Sequence, residues 1–112
     1  MLAAMKTVVL LNKAQMGHGS RDLGERILKT FLQKAIALQD LDAVLLFNEG
    51  VRLTGADSPV RAELAMLEER GVDLVPCGTC LEFYGVAPSV GSVGSMDEIL
   101  QALDRAGKVV TL

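Results

Sequence analysis

The sequence predicts an α/β fold: a three-layer α/β/α sandwich around a mainly parallel five-stranded sheet. Three observations carry this. Short runs of Val and Leu alternate in regular succession with longer segments of helical period. The connections between them are short, and no internal repeat or low-complexity tract marks a second unit. Residues 1–112 are therefore expected to form a single domain, long enough to bury a real core.

The first run, "KTVVLLN" at 6–12, lacks alternation, as expected of a strand covered on both faces. Ser20 is placed to cap a first helix with Asp22 in its opening turn, and Leu23, Ile27, Phe31, Ala35 and Leu38 recur at helical spacing as its apolar stripe. A second strand follows at 43–47, and "VRLTGADS" reads as a loop or short extension. Ser58 and Pro59 open the next helix, Val60, Leu64 and Leu67 give its buried stripe, and Gly71 closes it. "VDLVP" is the third strand and 90–93 a weak fourth. "SMDE" at 95–98 is a capping box that opens a helix carried by Ile99, Leu100, Leu103 and Ala106, and "KVVTL" ends the chain as the fifth strand.

Half of the residues are hydrophobic and the formal net charge is -3, with neither sign gathered into a block. Phosphate binding needs a concentrated cationic surface, so no nucleic-acid partner is expected. The opening "MLAAMKTVVLLNKAQ" has an apolar run of five residues from Thr7 to Leu11 and no basic n-region, so neither a signal peptide nor a membrane span is expected. A cytoplasmic protein follows as the expectation.

Open parallel sheets place their sites beyond the carboxyl ends of the strands. The loops there are "NKAQMGHGS", "NEGVRLTGADS", "CGTCLEFYG" and "GSVGS", so both cysteines of the chain sit on the functional edge. Two cysteines and one histidine, His18, make at best three metal ligands, and no metal is expected. Core filling has no need of the glycine between the cysteines, but buried thiols are common. A reactive thiol is the third option: with a helix starting at Gly78, Cys77 is its N-cap, where exposed amides would favour a thiolate. Cys80, one turn on, would then serve as resolving thiol. A thioredoxin-type dithiol shares these physics, but Pro76 stands where an aromatic residue is wanted. "GHGSRDLG" matches neither the dinucleotide spacing nor a P-loop, so no cofactor is expected. The pocket is expected to be shaped by Asn12, Gly17, His18, Gly19, Asn48, Glu49, Gly50, Gly78 and Tyr84, with Phe83 and Tyr84 packing the short helix back on the sheet.

"PCGTCLEFYG", preceded by "LEERGVDLV" and "FNEGVRLTGADS", resembles the DsrE-like domain at the C-terminal end of YedF-type sulfurtransferase-like selenium-metabolism proteins, as does "MGHGSRDLGERILKTFL". The resemblance spans nearly the whole chain. It implies a DsrE-like fold that assembles into homo-oligomers, and a sulfur, or selenium, carrier in which the cysteine after the third strand, here Cys77, holds a persulfide and passes it to a partner protein. The second cysteine, matched by Cys80, occurs only in some branches. YedF-type proteins also carry a TusA-like domain, so a relay would need that donor as a separate protein. The alternatives are a non-catalytic oligomeric binding module and a thiol-disulfide oxidoreductase using the pair.

Overall fold

The computed structural model describes residues 6–112; Met1 to Met5, at the head of the leader-like stretch, lie outside the described residues. Strands β1 (Thr7–Leu11), β2 (Leu41–Leu46), β3 (Asp73–Pro76) and β4 (Lys108–Thr111) form one sheet in the order β3-β2-β1-β4. Every pairing is parallel, with Val8 beside Ala43 and Val109, and Val44 beside Leu74. Helices α1 (Arg21–Lys34), α2 (Arg61–Glu69), α3 (Gly78–Tyr84) and α4 (Met96–Arg105) fill the connections.

The layers follow from the direction of travel. The chain steps from β1 to β2 to β3 the same way across the sheet, so right-handed crossovers put α1 and α2 on one face, where Gln33 of α1 reaches Glu63 of α2 at 3.4 Å. The return from β3 to β4 runs the other way and carries α4 to the opposite face. Val8, Val9, Leu11, Val44, Leu45 and Leu46 are buried in between, which is why these strands read as continuous apolar runs.

The sheet has four strands among the described residues, not the five expected. The segment expected as the fourth, Val90 to Val93, runs beside β3 and gives it one hydrogen bond, from the Ser92 N–H to the Leu74 carbonyl, and Gly94, just beyond it, gives another from its N–H to the Pro76 carbonyl. Only one isolated bridge, Cys77 with Gly94, results. The segment has no room to become a strand: it starts at Gly91, held at φ +85° against the Leu74 carbonyl, and Ser95 already caps α4.

Two helix faces also differ from expectation. On α1 the buried line is Gly24, Leu28 and Leu32, while Leu23 and Ile27 are exposed. Both lines have helical spacing, and they lie one residue, about 100°, apart. The choice is made by Gly24, whose missing side chain lets Gln15 pack against the helix. On α4, Ile99 is buried but Leu100 is exposed. By contrast Val60, Leu64 and Leu67 are all fully buried on the α2 side, and Gly71 ends that helix at φ +92°. The capping box of Ser95 and Glu98 is present in both directions.

Candidate functional site

β3 ends at Pro76, and the chain turns at Cys77 into α3. Cys77 is the N-cap of that helix, in extended conformation, but its sulfur accepts no hydrogen bond from the helix amides. Its N–H goes to the Leu46 carbonyl, and the first amide of α3, at Gly78, goes to the Gly94 carbonyl. The cap position was thus legible, whereas the sulfur-to-amide contact inferred from it is absent. Cys77 is 3% exposed, part of the core behind the sheet edge. Cys80 is half-buried, and neither cysteine is in a disulfide.

The sulfur of Cys80 faces the 3₁₀ segment Asn48–Thr54 that leaves β2. The Asn48 N–H donates to Cys80 Sγ at 3.1 Å. Asn48 can aim that amide because its backbone sits at φ +51°, a left-handed conformation that Asn tolerates better than most residues. The Tyr84 hydroxyl, one helical turn beyond Cys80, donates to Asn48 Oδ1 at 2.6 Å and holds it there. The Arg52 guanidinium in turn stands over the Tyr84 ring, 4.7 Å from its centroid. Arg52, Tyr84, Asn48 and Cys80 therefore form one connected chain of contacts.

Burial pushes the Cys80 thiol above the ordinary thiol range, and the hydrogen bond and charge of neighbouring Cys77 push it the same way. The Asn48 N–H opposes them by favouring the thiolate. An attacking sulfur here is a thiol at rest whose ionised form has one donor waiting.

The other expected pocket residues divide. Asn48, Gly78 and Tyr84 join the cysteines, and Glu49 follows Asn48 as an exposed side chain. Gly50 is buried, and any side chain there would strike the Leu11 carbonyl, so its place is structural. Asn12, Gly17, His18 and Gly19 belong to the loop after β1, which leaves the sheet two strands from β3. Asn12 Oδ1 accepts from Lys13 Nζ at 3.2 Å, and the same ammonium reaches the Leu112 carbonyl at 2.9 Å. His18 is exposed and bonds neither sulfur among the described residues. Phe83 does not pack on the sheet: it is 81% exposed, its ring edge-on to Tyr84 at 5.0 Å. Sequence reading placed the loop that holds Arg52 on the functional edge but did not single out Arg52, because its partner, Tyr84, is distant in the chain.

None of the described helices is long and apolar enough to cross a membrane. The model of the DsrE/DsrF-like family matches residues 5–112. No curated protein sequence matches. The ychN protein of E. coli is similar in structure, with a TM-score of 0.70 at 23% identity over 96% of this chain and 99% of that one. So are MTH1491 of Methanobacterium thermoautotrophicum, a protein of unknown function (TM-score 0.71, 18% identity, 96% and 99% covered), and BT1422 of Bacteroides thetaiotaomicron (0.67, 20%, 96% and 94%). At these identities the likeness concerns the fold.

Proposed function

The chain belongs to the DsrE/DsrF-like family, which is linked to sulfur relay in general, and from that premise we propose that it carries sulfane sulfur on its cysteine pair. Sulfur arrives at Cys80 and passes to Cys77. The observation that carries this reading is the difference between the two thiols: Cys80 is half-buried with the Asn48 N–H at its sulfur, and Cys77 lies directly behind it in the core. The resemblance alone would place the persulfide on Cys77 first. The burial of Cys77 favours Cys80 as the point of arrival and Cys77 as the sheltered second stop.

The chemistry balances without an outside oxidant. The Cys80 thiolate attacks the outer sulfur of a donor persulfide, the donor S–S bond breaks, and the donor leaves as a thiolate. Transfer to Cys77 repeats the exchange and frees the Cys80 thiolate. The resemblance to YedF-type domains extends the proposal to a separate TusA-like donor, to homo-oligomeric assembly and to selenium as a possible cargo.

The test is loading with inorganic polysulfide followed by peptide mass measurement. An adduct of about +32 Da, one sulfur, is expected on both cysteines of the wild type and on Cys80 of Cys77→Ser. Cys80→Ser should load Cys77 at least tenfold more slowly. Absence of any adduct overturns the carrier reading; an unchanged rate in Cys80→Ser overturns only the order of transfer.

A further inference from the structure

Tyr84 and the residues that follow it, Gly85 to Ala87, border a cavity of about 500 Å³, within the range of small-molecule sites. It is framed by the start of α1, the turn after the 3₁₀ segment and the end of α3, and none of its charged residues was singled out from the sequence. Its walls carry both signs. Arg21 and Glu25 neutralise each other in an ion pair at 3.2 Å. Arg52 and Asp57 also line the cavity, and among the described residues neither forms an ion pair. Ala14, Val86 and Ala87 add an apolar surface.

We infer that this cavity binds a small zwitterionic thiol persulfide of the amino-acid type and presents it to Cys80. Arg52 takes the carboxylate, Asp57 takes the ammonium, and the persulfide end points past Tyr84. One unpaired cation and one unpaired anion in the same lining decide the class: a simple inorganic anion would meet Arg52 but also the Asp57 carboxylate, whereas a zwitterion satisfies both. Arg52 is already held in place over the Tyr84 ring, so little ordering is needed on binding. Cys80 lies outside the cavity lining and Tyr84 connects the two: it follows Cys80 by four residues, about 6 Å along the helix, and its hydroxyl donates to Asn48, whose amide touches the Cys80 sulfur. The transfer breaks the donor S–S bond, forms one on Cys80 and releases the amino-acid thiolate.

This inference rests on the carrier reading above, and its test separates the two. Cys80 loading is followed by peptide mass against the concentration of cysteine persulfide, with inorganic polysulfide as the second donor. Loading from cysteine persulfide should saturate. Arg52→Gln should raise its half-saturating concentration about tenfold more than it slows polysulfide loading, the size of one lost charge-assisted contact. Arg52→Lys should recover part of that loss. Equal effects of Arg52→Gln on both donors would overturn the cavity assignment while leaving the carrier intact. Should neither donor load Cys80, the carrier reading falls and binding itself decides: titration with unreactive S-methyl-L-cysteine should shift the amide resonances of Gly55, Asp57 and Gly85, and unmoved resonances would overturn the assignment.

Discussion

The loop after β1 and the paired segments after β2 and β3 leave the carboxyl edge of the same sheet and do opposite things with their polar groups. The loop after β1 is the glycine-rich one, and it is tied to itself: the Gln15 side-chain amide donates to the carbonyls of Gly17, Gly19 and Ser20 at 3.2 to 3.4 Å. The strand order reverses between β1 and β4, where open α/β sheets commonly bind ligands, and here Lys13 closes the gap by bonding the Leu112 carbonyl. The segments after β2 and β3 instead point their polar groups at one another, with Asn48 between Tyr84 and Cys80. Glycine content marks where the backbone bends sharply. A donor held against a nucleophile marks where chemistry can occur.

The sharpest way to break this comparison is a methyl group in each loop. Gly50→Ala drives a side chain into the Leu11 carbonyl, which is backbone and cannot yield, so the turn that carries Asn48 must move. A loss of about 3 kcal/mol or more in urea denaturation is expected, the range of severe overpacking, together with loss of Cys80 loading. Gly17→Ala meets open space, and its φ of +77° is the only obstacle. It should lose about 1 to 2 kcal/mol and leave loading intact.

Next in size is the hold on the Cys80 sulfur. Tyr84→Phe removes the hydroxyl that fixes Asn48, and Asn48→Ala removes the side chain it fixes and disfavours the left-handed backbone. Both should push the Cys80 pKa further up and slow its alkylation at neutral pH by up to about tenfold. Asn48→Gly keeps the backbone free to aim its amide, so it should retain more reactivity than Asn48→Ala. Equal rates for the Gly and Ala variants would show that the backbone conformation of Asn48 does not matter to the thiol. The groups that bear on this titration of Cys80 are Cys77 on its own segment and the Asn48 N–H on the facing one.

Cys77→Ala tests the other side of the same sulfur. It removes the hydrogen bond and the charge that raise the Cys80 pKa, while burial, the larger cause, remains. Alkylation of Cys80 should therefore set in at lower pH than in the wild type. The same raised pKa has a stability consequence. The folded state keeps the proton longer than the unfolded chain, so the contribution from Cys80 is full below the unfolded pKa and is lost as pH rises from there through the folded value.

Much of this arrangement was legible in the sequence. The strand runs, the Ser95 capping box, the Gly71 stop and Cys77 as the residue before α3 are local features, set by backbone sterics and caps. The misreadings share a different cause. Leu23 against Leu28, or Val90 to Val93 as a strand, are choices between patterns of equal local quality, decided by what lies across the gap: Gln15 against Gly24, and Leu74 against Gly91. Arg52 and Asn48 acquire their roles from Tyr84, more than thirty positions away in the chain. No spacing rule connects them.

The smallest effects belong to the β1 loop, and they test whether that loop is separate from the thiols. Gln15→Ala removes three long hydrogen bonds at the surface, so a loss of no more than about 1 kcal/mol is expected because water replaces them. His18 is exposed and touches neither sulfur, so His18→Ala should leave stability within about 0.5 kcal/mol of the wild type. Neither variant should alter the pH profile of Cys80 alkylation, because neither side chain bonds Cys80, Asn48 or Tyr84. A profile displaced by His18→Ala would place the imidazole near the thiols in solution, and the two loops would then have to be read as one site.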